Sequence, residues 1–138
     1  MKITITGPRS IGKSTVSKIV AKKLKLKYLS SDEIGEKALK KHGGLDKAIK
    51  LGEIGKFIKS SAYGLIRSAY KQRKSIVFDL SGGSITSRKF KHASKQVRET
   101  AMQNSIIVGL LPSKNINCSV NFLFKRERER KHFKKNAL

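Results

Sequence analysis

Apolar residues in this chain fall into short runs separated by lysine-rich stretches, and the spacing within the runs changes along the sequence. Residues 2–6 (KITIT) read as a buried first strand. A helix is expected from near Lys13, because Val16, Ile19, Val20 and Leu24 recur at helical spacing. Leu26–Leu29 reads as a short second strand, and a helix is expected over about Asp32–Lys41, broken by His42-Gly43-Gly44. A longer helix is expected over about Leu51–Gln72, with Ile54, Phe57, Ile58, Leu65, Ile66 and Ala69 on its buried face. Ser75–Leu80 (SIVFDL) is apolar on both faces, as a central parallel strand is. A turn at Ser81-Gly82-Gly83-Ser84 follows, then a basic helix over about Ser87–Gln103 and a fourth strand over Ser105–Leu111, ended by Pro112. This alternation predicts an α/β fold, a three-layer α/β/α sandwich around a parallel sheet. Residues 113–138 read as a weak helix followed by the charge run KRERERKHFKK.

The length of 138 residues suits a single domain spanning 1–138. No apolar run is long enough to cross a bilayer, and the strand at Lys2 begins without a secretion signal, so no membrane partner is expected. Cys118 is the lone cysteine, which excludes an internal disulfide and points to a reducing, cytoplasmic setting. Net charge changes the picture more: 32 Lys and Arg against 9 Asp and Glu give +23. Such a field draws in polyanions, nucleotides and nucleic acid among them. The lysines are scattered, however, and the 9 Phe and Tyr residues are not interleaved with them as stacking platforms, so a dedicated nucleic-acid surface is not expected. His42, His92 and His132 are far apart and flanked by lysines, which argues against a histidine metal site.

The stretch between the first strand and helix carries the strongest chemistry. Gly7-Pro8-Arg9-Ser10-Ile11-Gly12-Lys13-Ser14, followed by Thr15, matches G-x-x-x-x-G-K-S/T in full. Glycines let the backbone wrap a phosphate closely, and the loop amides with the helix N-terminus supply fixed positive dipoles. Lys13 is expected to reach the β- and γ-phosphates of ATP, and the Ser14 hydroxyl to ligate Mg2+. This is a P-loop, and the expected fold is the P-loop NTPase fold.

Two carboxylates fall where parallel sheets place their ligands, just past strand ends. Asp79 closes the apolar third strand and is expected to hold magnesium or its water beside Ser14; its alternative role is to cap the turn. Asp32 follows the second strand, where it would orient an acceptor hydroxyl for attack or cap the helix that begins there. In the charge run, Arg126 and Arg130 are four residues apart and share a helical face, so residues 113–138 are expected to form a lid over the phosphates or a truncated C-terminal part. A solvated charged tail is the other reading of that run.

With these motifs in order, the chain resembles shikimate kinase within the nucleoside-monophosphate-kinase group. Tyr28-Leu29-Ser30-Ser31-Asp32 resembles F-x-D-x-D, Gly52-Glu53-Ile54-Gly55-Lys56-Phe57 resembles G-E-x-G-F-R, Ser81-Gly82-Gly83 resembles the glycine turn, and Arg130-Lys131-His132-Phe133 resembles the lid motif. Ser30 stands in place of the first acid, and Ile58 in place of the arginine after Phe57. The resemblance implies an ATP- and Mg2+-dependent kinase that phosphorylates a small hydroxylated acceptor. It implies catalytic roles for Lys13, Asp32 and Arg130, nucleotide contacts from the loop and Arg126, and an acceptor site formed by Asp32, Lys56, Gly82 and Gly83. Two alternatives remain open at this point. One is a monophosphate kinase of the cytidylate or adenylate type, using an arginine pair drawn from Arg67, Arg73 and Arg98; the other is a basic nucleotide-binding module acting with RNA.

Overall fold

Parallel strands need crossovers, and here helices supply them. A computed structural model describes residues 1–44, 47 and 50–129, with 53–59 as backbone only. Among the described residues four strands, β1 (Lys2–Thr6), β2 (Lys27–Ser30), β3 (Ile76–Asp79) and β4 (Ile106–Gly109), form one sheet in the order β2-β3-β1-β4. All three pairings are parallel. The helices are α1 (Lys13–Leu24), α2 (Ser31–Lys40), α3 (Glu53–Lys71), α4 (Gly82–Thr86), α5 (Lys91–Asn104) and α6 (Ile116–Arg128). No helix among the described residues is long and apolar enough to cross a membrane.

The alternation of side chains along each strand divides the core in two. Ile5 and Val77 face α1, where Ala21 is buried and Val16, Val20 and Tyr28 pack around them. Ile76, Phe78 and Leu80 face the other way, against Ile66, Ala69 and Tyr70 of α3 and Val97 and Ala101 of α5. The three expected layers are therefore present, and β3 contributes to both cores because it is buried on both sides.

Four details depart from the expected pattern. Leu65, placed on the buried face of the long helix, is 50% exposed, because that face is set by Ala62, Ile66 and Ala69. Ile19 and Leu24 of α1 are exposed as well, since the helix buries only a narrow stripe against the sheet. The stretch 81–84 is not a simple turn, since Gly82 starts α4, and the helix expected over 87–103 is α5, which begins later, at Lys91. The fourth strand is shorter than 105–111 and lies at the sheet edge, exposed at every position. Ile54, Phe57 and Ile58 fall where only backbone is described.

One polar anchor runs through the second core. Tyr70 is fully buried, its ring stacked on Phe78 at 4.6 Å between centroids. Its hydroxyl shares a hydrogen bond of 2.9 Å with Thr4 Oγ1, which is 2.7 Å from Ser105 Oγ. Burial pushes the Tyr70 phenol up from its ordinary 10.0 to about 12, and the bond to Thr4 only partly offsets this. The folded value lies above the unfolded one, so the neutral phenol's contribution is complete below about pH 10 and is lost as pH climbs through 10 to 12. At about 1.36 kcal/mol per unit, two units amount to roughly 2–3 kcal/mol. Thermal melts of wild type and Tyr70→Phe from pH 8 to 12 should therefore converge at the alkaline end. Parallel curves would show that Tyr70 does not control the alkaline limb.

Candidate active site

Strand register brings the site together. Ile5 and Ser30 both pair with Asp79, and Thr6 pairs with Gly109, so the C-terminal ends of all four strands lie level. From that edge the chain turns through the loop into α1. Gly7 has φ 153°, Ser10 φ 66° and Gly12 φ 96°, conformations that let the loop curl back on itself. A Cβ at Gly7 would meet the Leu110 carbonyl oxygen at 2.5 Å, so only glycine seats the loop against the end of β4. Gly12 caps α1 without a side-chain hydrogen bond, and the first turn carries no acidic residue. No side chain competes with an anion for the start of α1, which the helix dipole makes positive. Lys13 Nζ folds back to the Pro8 carbonyl at 3.0 Å.

Asp79 is 4% exposed at the end of β3. Ser14 Oγ donates to its Oδ2 at 2.6 Å, and Tyr28 Oη donates to the same oxygen at 3.1 Å. Among the described residues Oδ1 has no protein partner. Burial pushes the Tyr28 phenol up; the Ser30 hydroxyl opposes this, and the charge and hydrogen bond of Asp79 add to it. Tyr28 therefore remains a protonated donor at neutral pH.

Ser10, Gly12, Lys13, Ser14 and Asp79 line one cavity of about 1110 Å³ that extends from the loop across α2 and α3 to Gly82 and Gly83. Asp32 lines it, and the capping alternative for Asp32 is corrected: Ser30 is the N-cap of α2 and accepts from the Glu33 amide at 3.5 Å. Ser31 Oγ accepts from the Ser81 amide at 2.9 Å, tying the start of α2 to the segment after β3. Arg126, in the last turn of α6, also lines the cavity. The charge run up to Arg128 is helical, with Lys125, Arg126 and Arg128 exposed, and Glu127 fastens it to the loop. Glu127 forms an ion pair of 3.0 Å with Arg9 and a short hydrogen bond with Ser10.

Other expected residues are not gathered here. Arg67 donates to Gln96 at 2.7 Å and Arg98 to the Ile85 carbonyl at 3.0 Å. Neither they nor Arg73 line the cavity. The Lys56 side chain and Arg130 lie outside the described residues. Tyr63, Phe90 and Lys89 line the far end of the cavity and were not anticipated. The rings of Tyr63 and Phe90 are 5.6 Å apart and tilted. Their positions at one flank of α3 and one helix junction give no motif that a sequence would announce.

The donor set fits magnesium. A hydroxyl and a carboxylate oxygen face the cavity beside the start of α1, and Mg2+ takes one or two protein oxygens and completes its shell with phosphate oxygens and water. Among the described residues no group of three or more His, Cys, Asp or Glu is assembled.

Comparison with known proteins agrees with this geometry. The model of the cytidylate kinase-like family matches residues 2–130. The chain belongs to that family. No curated protein matches it in sequence. Among solved structures it is similar to shikimate kinase from Acinetobacter baumannii in complex with shikimate, at TM-score 0.64 and 26% identity over 95% of this chain and 63% of that one. Shikimate kinase from Bacteroides thetaiotaomicron gives TM-score 0.64 and 20% identity over 95% and 65%. A gluconokinase from Sinorhizobium meliloti 1021 gives TM-score 0.57 and 17% identity over 95% and 65%. The chain thus spans less than two thirds of these proteins' length. Its own fold is the P-loop NTPase fold, and the family implies ATP and Mg2+.

If Asp79 faces the metal, Asp79→Asn removes the charge while keeping the shape. Calorimetric titration should show nucleotide affinity with Mg2+ falling about tenfold or more, with metal-free affinity not weakened. No change in either would leave Asp79 as a turn cap.

Proposed function

We propose that this protein is a phosphotransferase that moves the γ-phosphoryl group of ATP, with Mg2+, to a small hydroxylated acceptor. One observation carries this reading: a single cavity joins the phosphate loop, the Ser14–Asp79 pair and Asp32. In phosphoryl transfer the protein mainly positions groups and neutralises charge. The amides of residues 7–15 and Lys13 would hold the β- and γ-phosphates, Ser14 and Asp79 would hold the magnesium, and Arg126 would approach from α6. Held there, Mg2+ would supply charge neutralisation for the phosphoryl group in transfer. Asp32 would accept the hydrogen bond of the acceptor hydroxyl and align it, with Gly82 and Gly83 offering close backbone approach. Lys56 and Arg130 are proposed for the acceptor's anionic group and for the lid. The similarity to a shikimate kinase in complex with shikimate supports a small hydroxylated acceptor.

A second reading, a nucleoside monophosphate as acceptor, draws on the aromatic pair Tyr63 and Phe90 beside Lys89. Flat rings favour a flat base, and a lysine favours its phosphate. The cytidylate kinase-like family match leaves room for it.

Coupled measurement of ATP consumption with shikimate, gluconate and the nucleoside monophosphates tests both readings. Turnover with a monophosphate alone would select the second, and turnover with none would leave the acceptor outside both classes. Lys13→Ala should abolish turnover with an unchanged melting transition, since Lys13 is the first residue of α1 and lies outside both cores; wild-type turnover would remove the loop from the mechanism. Asp32→Ala should lower phosphoryl transfer by about 100-fold or more with ATP affinity nearly constant. Equal loss of both would move the acceptor site elsewhere.

A further inference from the structure

Tyr28 belongs neither to the phosphate loop nor to the acceptor side of the cavity, yet its hydroxyl reaches the carboxylate assigned to the metal. It does so by register. Tyr28 pairs with Val77 and Ser30 with Asp79, so the phenol lies on the same face of the sheet as Asp79, one side-chain step behind it. The ring is held against Ile5, Ala21 and Val77, and Lys18 Nζ sits 5.4 Å from its centroid. The base of the phenol is therefore fixed by packing, and only its tip enters the polar end of the strand.

The F-x-D-x-D pattern that residues 28–32 resemble has no hydroxyl at the position of Tyr28 and an acid at the position of Ser30. This chain has the reverse: a hydroxyl at the first position and no charge at the third. Among the described residues Asp79 is then the carboxylate that Ser14 meets, and its orientation matters more. The terminal torsion of an aspartate is broad, so a single hydrogen bond from Ser14 leaves the carboxylate plane loosely set. A second donor, arriving on the same oxygen from the β2 side, sets it.

Resting on the assignment of Asp79 to magnesium, the geometry points to Tyr28 as a positioning residue: its hydroxyl locks Asp79 Oδ2 and turns Oδ1 toward the cation or its water. Both donors occupy Oδ2, and Oδ1 is left for the metal side. Partners that orient metal ligands in this way commonly contribute 10- to 100-fold in metal affinity.

The test is Tyr28→Phe, which keeps the ring in the core and removes only the hydroxyl. ADP affinity is measured by calorimetry with Mg2+ and with EDTA, in wild type, Tyr28→Phe and Asp79→Asn. The gain in affinity that Mg2+ confers should fall about tenfold in Tyr28→Phe, with EDTA values and the melting temperature nearly unchanged. Equal weakening with and without Mg2+ would show a structural role only and overturn the proposal. So would a full Mg2+ gain in Tyr28→Phe when Asp79→Asn has lost it, and in that case the metal assignment survives. A full gain in both variants would overturn the metal assignment of Asp79 and, with it, the role of Tyr28.

Discussion

The hydrogen bond between Ser14 and Asp79 joins the start of the first helix to the end of the third strand, across 65 positions of sequence. A carboxylate as buried as Asp79 is costly unless hydrogen-bonded, so its two hydroxyl donors are a condition of the fold as well as of the site. That constraint sets the height at which α1 begins over the sheet, and the loop must span the remaining gap. The loop meets it with three residues at positive φ, one of them the non-glycine Ser10. Glu127 then secures the loop from outside through Arg9 and Ser10. The conformation of the phosphate loop is thus held from the sheet below and from α6 above.

Close backbone contact makes the same point. The end of β4 lies so near Gly7 that a methyl group would collide with a carbonyl oxygen, and a Cβ at Gly82 would stand 3.3 Å from the Gly7 carbonyl. Three chain segments meet with no side chain between them, which is how a sheet edge made of four strands presents amides to one ligand. The Ser31–Ser81 bond adds α2 to this junction.

Much of this was legible in the sequence, and the reasons are local. The P-loop is a contiguous motif whose conformational needs are written in its glycines, and Asp79 ends a strand whose apolar character is unmistakable. The element order followed from runs of distinct period. What escaped detection depends on three-dimensional convergence. Leu65 and Ile66 are neighbours with equal hydrophobicity, and only the tilt of α3 on the sheet decides that one is buried and the other half exposed. Tyr28 reads as one more apolar strand residue until register brings its hydroxyl to Asp79. Glu127 sits in a charge run that offers no preference among its members, and only the docking of α6 selects it. Tyr63 and Phe90 come together from two helical segments 27 residues apart, beyond the reach of any periodicity.

The edge strand β4 has a physical consequence of another kind. It carries Ile106, Ile107 and Val108 with 61%, 41% and 39% of their surface exposed, and Phe122 and Phe124 of α6 are exposed as well. Such an edge is sticky toward other copies of itself. The surplus of 23 positive charges opposes this, since two approaching molecules repel long before the strands touch. Like-charge repulsion is therefore the barrier that this surface sets against edge-to-edge pairing. Its range shrinks from about 30 Å at 0.01 M salt to about 3 Å at 1 M. Ionic strength, rather than temperature or packing, would decide whether neighbouring molecules stay apart.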